Sequence, residues 1–480
     1  MKKSIAIMAA IAITGAATAA NDGGNAAAPI GKSDIKIEGG LMTPEALWAM
    51  GRIGAVSVSP NAKEIVYGVS YYSVEQNKSH HTLNIMDADG NNDTKLTTTA
   101  ANESSAAWIK GGTKIAFLSN TSGSSQVWEM NPDGTDRKQL TNDASDIEGF
   151  LFSPDESKVI LIKRIKIKPT TADIHPDLPL AKGFVIDDLM YKHWDEWLND
   201  APHPFVADFD GTSINEGKDM LEGTVYDCPN RPFGGAEQLA WSNDSKQIAY
   251  SCVKKSGRDY TLSTDTDIYL YDLTSGNTTN LCKLDEARSS YGYDNAPQFS
   301  PDGKMIAWTS MARDGYESDQ IRLSVMNLAT GERTYLTGMP DANGITAFDS
   351  NVDSYCWAPD SKSLYFTGTW HGTTQVYNIT LKGELTKMTE GVHDYKSVAL
   401  LGDNRLVMTR VSMSAPADIY TMNAKAGAEV KHAQVGLFAE RVGYNVDKLS
   451  CFRSRNKSCR TDRKIQSIEL RSAENVLNRF

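Results

Sequence analysis

Beyond residue 20 the sequence lacks any apolar run of the roughly 18 residues that a membrane-spanning helix needs. The first twenty residues differ, because two lysines precede an apolar run from Ile5 to Ala17, and the small residues Ala-Thr-Ala stand at 17–19. This pattern is typical of a cleaved secretory signal peptide and is too short for a permanent anchor. No cysteine stands at the cleavage site, which argues against a lipoprotein. We therefore expect a signal peptide at 1–20 and a secreted, periplasmic or extracellular protein with no membrane span.

Cysteine is scarce, with six residues in 480, which is too few for a fold built on disulfides. Neither a CxxC motif nor paired histidines at ligand spacing occur, so the sequence predicts no structural zinc, and nothing in it indicates another cofactor. Four cysteines of the chain body could pair in an oxidising compartment, but their spacing leaves the connectivity open. They are Cys228, Cys252, Cys282 and Cys356.

The chain body also lacks basic charge. The net charge is −11, but residues 441–480 carry ten Lys or Arg against four Asp or Glu, so residues 21–440 stand near −19. An acidic body argues against a nucleic-acid partner, because phosphates require a basic face. It tolerates cationic partners such as the free amine of a peptide, although an acidic solvated surface alone would give the same charge.

A turn pattern that recurs seven times is the main positive signal. Each copy has an aromatic or apolar residue, a polar turn centred on Pro-Asp or a relative, a short polar stretch and then alternating apolar residues. Pro presets φ in such a turn, Asp or Asn bonds the backbone beyond it, and the alternation makes a two-faced strand. The copies lie at 58–67, 108–117, 152–161, 241–250, 299–308, 357–366 and 401–408.

Most copies are followed by a second hairpin, so each repeat holds four strands at a spacing of roughly 40 to 60 residues. The sequence therefore predicts an all-β fold, a β-propeller of about seven WD40-like or Tol-like blades, over residues 55–424. An open array of β-sandwiches is the alternative, but sandwich domains seldom repeat one turn motif so often.

Three segments depart from the repeat. Residues 21–54 form a lead-in, in which Thr43, Pro44 and the helix formers after them predict a short helix. Residues 163–202 interrupt blade 3 as an insert, and the run from Asp187 to Leu198 has a helical pattern. Residues 425–480 lose the alternation and become basic from about Arg441, which indicates either a disordered tail or a frameshifted reading.

Several stretches carry a resemblance to a known family. They are Met42 to Glu45, Tyr191 to Trp197, His203 to Val206, Pro232 to Gly235, Thr266 to Tyr269, Ser310 to Asp319 and Ser412 to Ala417. With them the chain resembles, over about residues 41–423, the N-terminal propeller of the bacterial dipeptidyl peptidase 5 and acylaminoacyl-peptidase group. That group belongs to the prolyl oligopeptidase (S9) family of serine peptidases.

The resemblance implies a propeller that covers a following α/β-hydrolase domain, which holds a Ser-Asp-His triad and releases dipeptides from peptide N-termini. The nucleophile of such a domain stands in a G-x-S-x-G elbow. No G-x-S-x-G occurs in this sequence, and the nearest match, at 211–213, lacks the closing glycine. We therefore expect no catalytic residue on this chain, a truncation before the hydrolase domain and inactivity of the chain alone. A hydrolase domain encoded downstream in another frame is the expected partner.

Asp195 and Glu196 are the candidate substrate-binding residues, because an exopeptidase needs a negative group to pair with the α-ammonium of its peptide. The plain alternative is that both carboxylates face solvent while the flanking tryptophans pack the insert onto its blade. Arg313 and Glu317 are candidates to line the cavity, although such charges also stiffen blade loops. The histidine pair at 80–81 is interpreted as an exposed turn, and His193 and His203 as structural.

Two functions are consistent with these observations. The first is the substrate-gating propeller of a secreted S9 peptidase that degrades peptides, and the alternative is a non-catalytic, Tol-like periplasmic propeller that binds protein partners. The absence of a G-x-S-x-G elbow is what the Tol-like binding propeller predicts. The Trp-Asp-Glu-Trp insert and the order of the motifs favour the peptidase propeller. A propeller hydrolase with its site in the central tunnel would require clustered inward carboxylates or metal ligands that the sequence does not show.

Overall fold

The structure is a computed structural model, which describes residues 30–35, 43–284, 290–338, 348–402, 404–413, 415–424 and 429–431. The predicted signal peptide at 1–20 and nearly all of the tail at 425–480 lie outside these residues. No helix in the described ranges has the length and apolar character needed to cross a membrane.

The described residues form seven antiparallel sheets of four strands each, which confirms the predicted propeller. The four strands are consecutive in the sequence except in blade 3, where the insert intervenes. In blades 1 to 3 the strands are β1 Arg52–Val58, β2 Glu64–Ser73, β3 Lys78–Asp87, β4 Thr94–Lys95, β5 Glu103–Ile109, β6 Lys114–Ser119, β7 Gln126–Met130, β8 Lys138–Gln139, β9 Ile147–Phe152, β10 Lys158–Lys166, β13 Asp200–Asp208 and β14 Lys218–Asp219. In blades 4 and 5 they are β15 Leu239–Trp241, β16 Gln247–Cys252, β17 Asp267–Asp272, β18 Thr278–Asn280, β19 Asp294–Phe299, β20 Met305–Ser310, β21 Arg322–Asn327 and β22 Arg333–Tyr335.

Blades 6 and 7 contain β23 Val352–Trp357, β24 Ser363–Trp370, β25 Thr373–Thr380, β26 Leu385–Lys387, β27 Asp394–Gly402, β28 Arg405–Ser412, β29 Ala415–Asn423 and β30 Glu429–Lys431. The described helices are short: α1 Pro44–Ala49, α2 Thr171–Ile174, α3 Gly257–Thr261, and single 3₁₀ turns at Lys110–Gly112 and Ala236–Gln238. Helix α1 has Thr43 as its N-cap, accepting a hydrogen bond from the Ala46 amide, as the sequence predicted.

The repeated turn is held by its own side chains. In blade 3 the Ser153 hydroxyl donates to Asp155 at 2.6 Å and accepts from the Lys158 amide at 3.0 Å. The turn also joins neighbouring blades, because the Asp155 amide donates to the Ser245 hydroxyl of blade 4 at 3.1 Å. The same link recurs between blades 5 and 6, from the Asp302 amide to Ser361. The motif that defines the repeat therefore also fastens the ring.

Asp155 gives this turn a pH dependence. The hydrogen bond from Ser153, with those from the Ser157 amide and hydroxyl, lowers the pKa of Asp155 to about 2 from the ordinary 3.8. Because the folded-state pKa is the lower one, the stabilisation is present above about pH 4 and is lost as pH falls through about 2. We expect Asp155→Asn to cost under about 1 kcal/mol at pH 7, since the turn is solvent-screened. In urea unfolding, the difference in free energy of unfolding between wild type and Asp155→Asn should vanish by pH 2. A difference that persists at pH 2 would contradict this prediction.

The hydrophobic core is divided among the blade interfaces. Seven clusters of buried residues occur, and each one joins two neighbouring blades, including blade 7 to blade 1. In that last cluster Ile65, Tyr67 and Met86 pack with Val407 and Ile419. Side-chain packing therefore joins the first and last blades, and none of the described strands is exchanged between them.

The insert in blade 3 corrects two sequence predictions. β10 and β13 pair without interruption from Lys158↔Asp208 to Lys166↔Asp200, so the insert spans 167–199 and not 163–202. The predicted helix from Asp187 to Leu198 is wrong, because the segment forms a small hairpin of β11 Lys192–His193 and β12 Glu196–Trp197. Trp194 at its tip has φ 55°, a left-handed conformation that a right-handed helix excludes. The only helix described in the insert is α2.

Candidate functional site

The two ends of the propeller differ in character. Turns between the first and second, and third and fourth, strands of each blade open on one end, the turn face. The loops between second and third strands and the connections between blades open on the other end, here called the insert face. Among the described residues, all nineteen exposed large hydrophobic side chains lie on the insert face or on helix α1, which leads into it. They are Leu47, Trp48, Val74, Ile174, Leu178, Leu180, Phe184, Val185, Ile186, Leu189, Tyr191, Trp194, Val225, Phe233, Leu262, Tyr291, Tyr316, Val392 and Met413.

Aromatic stacking fixes the hairpin on the insert face. The Phe184 ring lies parallel to the Trp197 ring with centroids 3.7 Å apart. The Trp194 ring meets Phe233, from the connection between blades 3 and 4, edge to face at 4.9 Å. The two tryptophans therefore pack the insert, as the plain sequence interpretation supposed, while the residues between them remain at the surface.

Two arginines behind the hairpin hold its carboxylates. Arg231 is 8% exposed and donates to both carboxylate oxygens of Asp227 at 2.8 and 3.1 Å. It also donates to the Asp200 backbone carbonyl at 2.6 Å. Arg164 donates to Glu148 at 2.6 Å and to the Asp200 carboxylate at 2.9 Å. Asp200 thus joins the two arginines at the point where the insert returns to its blade.

Glu196 and Asp195 occupy different positions in this cluster. Glu196 Oε2 lies 3.6 Å from Arg164 Nη1, which is too long for a hydrogen bond, and it has no hydrogen-bond partner although the atom itself is shielded from solvent. Asp195 is exposed at the hairpin tip and makes no hydrogen bond or ion pair with the described part of the chain. Of the predicted pair, Glu196 is the one with an unsatisfied acceptor.

His193 faces the same cluster from the opposite hairpin strand. Its ring lies edge-on to Tyr260 at 6.2 Å, and the Tyr260 hydroxyl donates to Asp227 at 3.1 Å. Burial lowers the pKa of His193, against the opposing effect of Asp227, and Glu317 of blade 5 is close enough to act on the pKa as well. The insert and the blade 4 loop therefore converge here, and Glu317 of the blade 5 loop acts on the pKa of His193 more weakly than Asp227 or Glu196 does.

Arg313 takes no part in this convergence. Its guanidinium forms an exposed ion pair with Asp319 of the same loop, with two hydrogen bonds from Nε at 3.0 and 3.1 Å, and stacks on Tyr316. The neighbouring Asp314 fastens the loop to blade 4 by accepting from the Thr264 amide at 2.7 Å. In this position Arg313 stiffens its own loop.

The cluster carries an excess of negative charge. Its carboxylates outnumber its guanidiniums, with Glu148, Glu196, Asp200 and Asp227 set against Arg164 and Arg231. Because it lies partly buried, screening by solvent is reduced and the excess favours a cationic ligand. A primary ammonium is such a ligand, since it brings one positive charge and three donors.

One buried group could in principle hold a metal ion. Ligand atoms of Asp267, Cys282 and Asp294 lie within 4.8 Å of one another, the single such group among the described residues. However, Lys283 Nζ already neutralises Asp267 at 2.8 Å, and burial raises the pKa of the Cys282 thiol well above its ordinary value. At this junction of blades 4 and 5, Asp267 is therefore already paired with a cation and the Cys282 thiol stays protonated.

The cysteines and histidines considered in the sequence analysis have structural surroundings that the structure shows directly. Cys228, Cys252, Cys282 and Cys356 are free thiols in the structure. His203 is fully buried and bonds Asp219 at 2.8 Å, a structural contact. The interpretation of the pair at 80–81 as an exposed turn is wrong: both residues lie in β3. His80 is buried, with its ring nitrogens 2.8 and 3.0 Å from the Ile30 and Ala101 carbonyl oxygens.

Sequence reasoning missed the residues that hold the site together. Arg164, Arg231, Asp227 and Tyr260 come from blade 3, from the connection after it and from blade 4. The one available signal was the stretch from Pro232 to Gly235, which follows Arg231 directly and was recognised only as part of a resemblance. The ion pairs connect residues up to about 36 positions apart, so no local pattern could show them.

Comparisons with known proteins agree with this fold. No protein-family model matches the chain. It is 44% identical over 428 residues to dipeptidyl-peptidase 5 of Porphyromonas gingivalis, covering 89% of this chain and 59% of that protein. It is 41% identical over 388 residues to dipeptidyl-peptidase 5 of Porphyromonas endodontalis, covering 81% and 54%. The chain thus spans between half and three fifths of the length of these relatives.

Solved structures give the same fold. An acylaminoacyl peptidase in complex with Z-Gly-Gly-Phe-chloromethyl ketone superimposes with a TM-score of 0.60 at 16% identity, over 82% of this chain and 54% of that one. The β-propeller domain of the trilobed protease from Pyrococcus furiosus, described as having an open velcro topology, gives 0.51 at 14% identity, over 80% and 99%.

Fold and sequence together define the class: this chain carries the β-propeller of an S9-family serine peptidase. Within that family it belongs with dipeptidyl-peptidase 5, which confirms the resemblance seen in the sequence. In the ranges that the structure describes, the seven blades and the insert hairpin account for every sheet, and no α/β-hydrolase sheet is among them.

Proposed function

We propose that this chain is the substrate-gating propeller of a secreted S9 dipeptidyl or acylaminoacyl serine peptidase that degrades peptides, seated on an α/β-hydrolase domain through the insert face. The observation that carries the proposal is the confinement of all nineteen exposed large hydrophobic side chains to that end of the ring. Exposed apolar patches of this extent on one face mark an interaction surface. The turn face, by contrast, is polar.

The partner in this proposal follows from the relatives and from the course of the chain. Each matched dipeptidyl-peptidase 5 is substantially longer than the matched region, which leaves room for a hydrolase domain. β30 runs from the turn face towards the insert face as far as Lys431, opposite Tyr420, so the last described strand points to the end of the ring where the apolar side chains lie. The hydrolase domain is therefore proposed to lie against the insert face and to enclose the acidic cluster around Glu196.

The substrate contact in this proposal is Glu196. Its Oε2 has no hydrogen-bond partner and faces Arg164 only at 3.6 Å, in a cluster with excess negative charge at the face where peptides would meet the hydrolase domain. A peptide α-ammonium would satisfy the atom and neutralise the charge. Asp195, exposed beside it, would add to the attraction at longer range.

The catalytic half of the proposal is tested by activity. The 480-residue chain alone is expected to give no turnover of dipeptidyl chromogenic substrates, because it holds no nucleophile elbow. A chimera in which this propeller replaces the matching part of the Porphyromonas gingivalis relative is expected to be active. Turnover by the chain alone that is blocked by serine-directed inhibitors would contradict the proposal.

The docking face is tested in the same chimera. Phe233→Ser and Val392→Ser, in the connections that lead into blades 4 and 7, each remove an exposed apolar side chain. Each substitution is expected to lower kcat/KM roughly tenfold, because the hydrolase domain would pack less firmly against the insert face. Lys304→Ser on the turn face is the matched control and should leave kcat/KM unchanged. If all three substitutions lowered kcat/KM equally, or if none of them lowered it, the alternative of a propeller that binds other protein partners would be favoured.

A further inference from the structure

Two of the four cysteines of the chain body share one blade interface. Cys228 and Cys252 are both fully buried in the cluster that packs blade 3 against blade 4. Cys282 belongs to the cluster between blades 4 and 5, and Cys356 packs against the cluster between blades 6 and 7. The sheet of blade 4 separates Cys252 from Cys282, because those two clusters lie on its opposite faces. Among these four cysteines, the structure therefore leaves one pair that can meet, Cys228 with Cys252.

A direct contact brings these two residues together. The Cys252 thiol donates to the carbonyl oxygen of Asp227, the residue that precedes Cys228, at 3.4 Å. That oxygen is about 3 Å from the next Cα in a trans peptide unit, so Cys252 Sγ is at most about 6 Å from the Cys228 Cα. This is close to the separation that a disulfide requires. On the far side of the pair, the Val253 amide donates to Asn230 Oδ1 at 3.1 Å, so the connection continues to follow the end of β16.

Both cysteines are thiols in the structure, and burial keeps them uncharged. Burial, and next the neighbouring Cys252, raises the pKa of Cys228 well above its ordinary value, and burial raises the pKa of Cys252 as well. The thiolate is the form that attacks a disulfide, so the folded protein with reduced thiols should react slowly with thiol oxidants. A bond between these cysteines is therefore expected to form during folding, before the interface of blades 3 and 4 closes.

The pair lies at the start of the connection that supports the candidate site. Three residues beyond Cys228, this connection carries Arg231, which ties Asp227 to Asp200 at the root of the insert. Cys252 ends β16, the second strand of blade 4, which is paired with strands on both sides. A bond between the two sulfurs would hold the start of the connection against the body of blade 4.

We propose that Cys228 and Cys252 form a disulfide bond when the protein folds in an oxidising compartment, a covalent modification that fastens the blade 3–4 connection to β16. The inference rests on the secretion in the proposed function, because disulfides persist outside the reducing cytosol. One thiolate displaces a sulfur of the oxidant's disulfide, and the other thiolate then attacks the resulting mixed disulfide. The two thiols lose two protons and two electrons, and the oxidant, a disulfide-bearing protein or glutathione disulfide, leaves as two thiols.

Peptide mapping of the whole chain tests the bond. The protein is refolded with a mixture of oxidised and reduced glutathione, alkylated in urea and digested with trypsin without reduction. Trypsin places the two cysteines on the neighbouring peptides 219–246 and 247–254. These two peptides are expected to be recovered mainly as a linked pair, whereas the other two cysteines of the chain body should be alkylated. Alkylation of both Cys228 and Cys252 in the refolded protein would overturn the inference.

Urea unfolding measures what the bond does. A cross-link restricts the unfolded chain, so the oxidised protein should unfold at roughly 1 M higher urea than the same protein kept reduced. The double substitution Cys228→Ala with Cys252→Ala should abolish this difference. Cys282→Ala is the matched control, because it removes an equally buried thiol on the other face of blade 4 and should keep the difference. A difference that persists in the double variant would overturn the assignment to this pair.

The failure of this inference and the failure of the proposed secretion have different signatures. Refolding needs no export, so a missing cross-link after refolding overturns the inference in whichever compartment the protein resides. Fractionation of a bacterial host that produces the chain tests export separately. Chain found only in the cytosol would contradict secretion, while a cross-link formed on refolding would still support the bond. Chain found in the periplasm with both thiols free would overturn the inference and leave secretion intact.

Discussion

Replacing Arg231 by alanine is expected to lower the free energy of unfolding by about 3–5 kcal/mol, one of the two largest effects predicted for this chain. The guanidinium is 8% exposed, and it is the partner that neutralises Asp227, which is itself 4% exposed. Its removal would leave a buried carboxylate without compensation and would free the Asp200 carbonyl at the root of the insert. Urea unfolding of the whole chain measures the change.

The chain offers a matched control for this prediction. Arg313 also pairs with an aspartate, Asp319, but its side chain is 59% exposed, and exposed pairs of this kind add little to stability because solvent screens them. Arg313→Ala should therefore lower the free energy of unfolding by only a small fraction of the decrease expected for Arg231→Ala. Equal losses would show that burial of the Asp227–Arg231 pair is not what makes it important.

The same substitution should also change the candidate site. Without Arg231 the insert hairpin loses the link that joins Asp227 to Asp200 behind it. The root of the insert should then be less firmly placed, and any binding of a peptide α-ammonium at Glu196 should weaken together with stability. A variant that unfolds easily yet binds the ammonium as tightly as wild type would show that aromatic packing places the hairpin without support from the arginine.

The fold could be predicted because its determinants are local and repeated. The Ser-Pro-Asp turns of blades 3 and 5 carry their own hydrogen bonds within five residues, so one such turn predicts a hairpin, and seven turns of related sequence predict a propeller. Alternation of apolar residues then assigns each strand a buried face. The seven interface clusters follow from that pattern without further information.

The insert could not be predicted because its structure depends on contacts made elsewhere. The run from Asp187 to Leu198 suits a helix by composition, yet Trp194 and Trp197 gain more by packing on Phe233 and Phe184 than a short solvent-exposed helix would offer. Those partners lie in other parts of the chain. Glu196 could be selected from the sequence only as an acidic residue of the insert and stays a prediction, whereas its oxygen without a hydrogen-bond partner is visible only in the structure.

Ile419→Ala should cost about 2–5 kcal/mol, because it opens a cavity at the interface where blade 7 closes onto blade 1. Ile248→Ala at the interface of blades 3 and 4 is the matched control, since both side chains are 0% exposed and lose the same atoms. In the described part of the chain, packing joins blades 7 and 1, so equal losses in urea unfolding are expected if that interface is as tight as the interior ones. A loss below about 1 kcal/mol for Ile419→Ala would mean that blades 1 and 7 separate readily. The propeller would then be able to admit peptides through its seam.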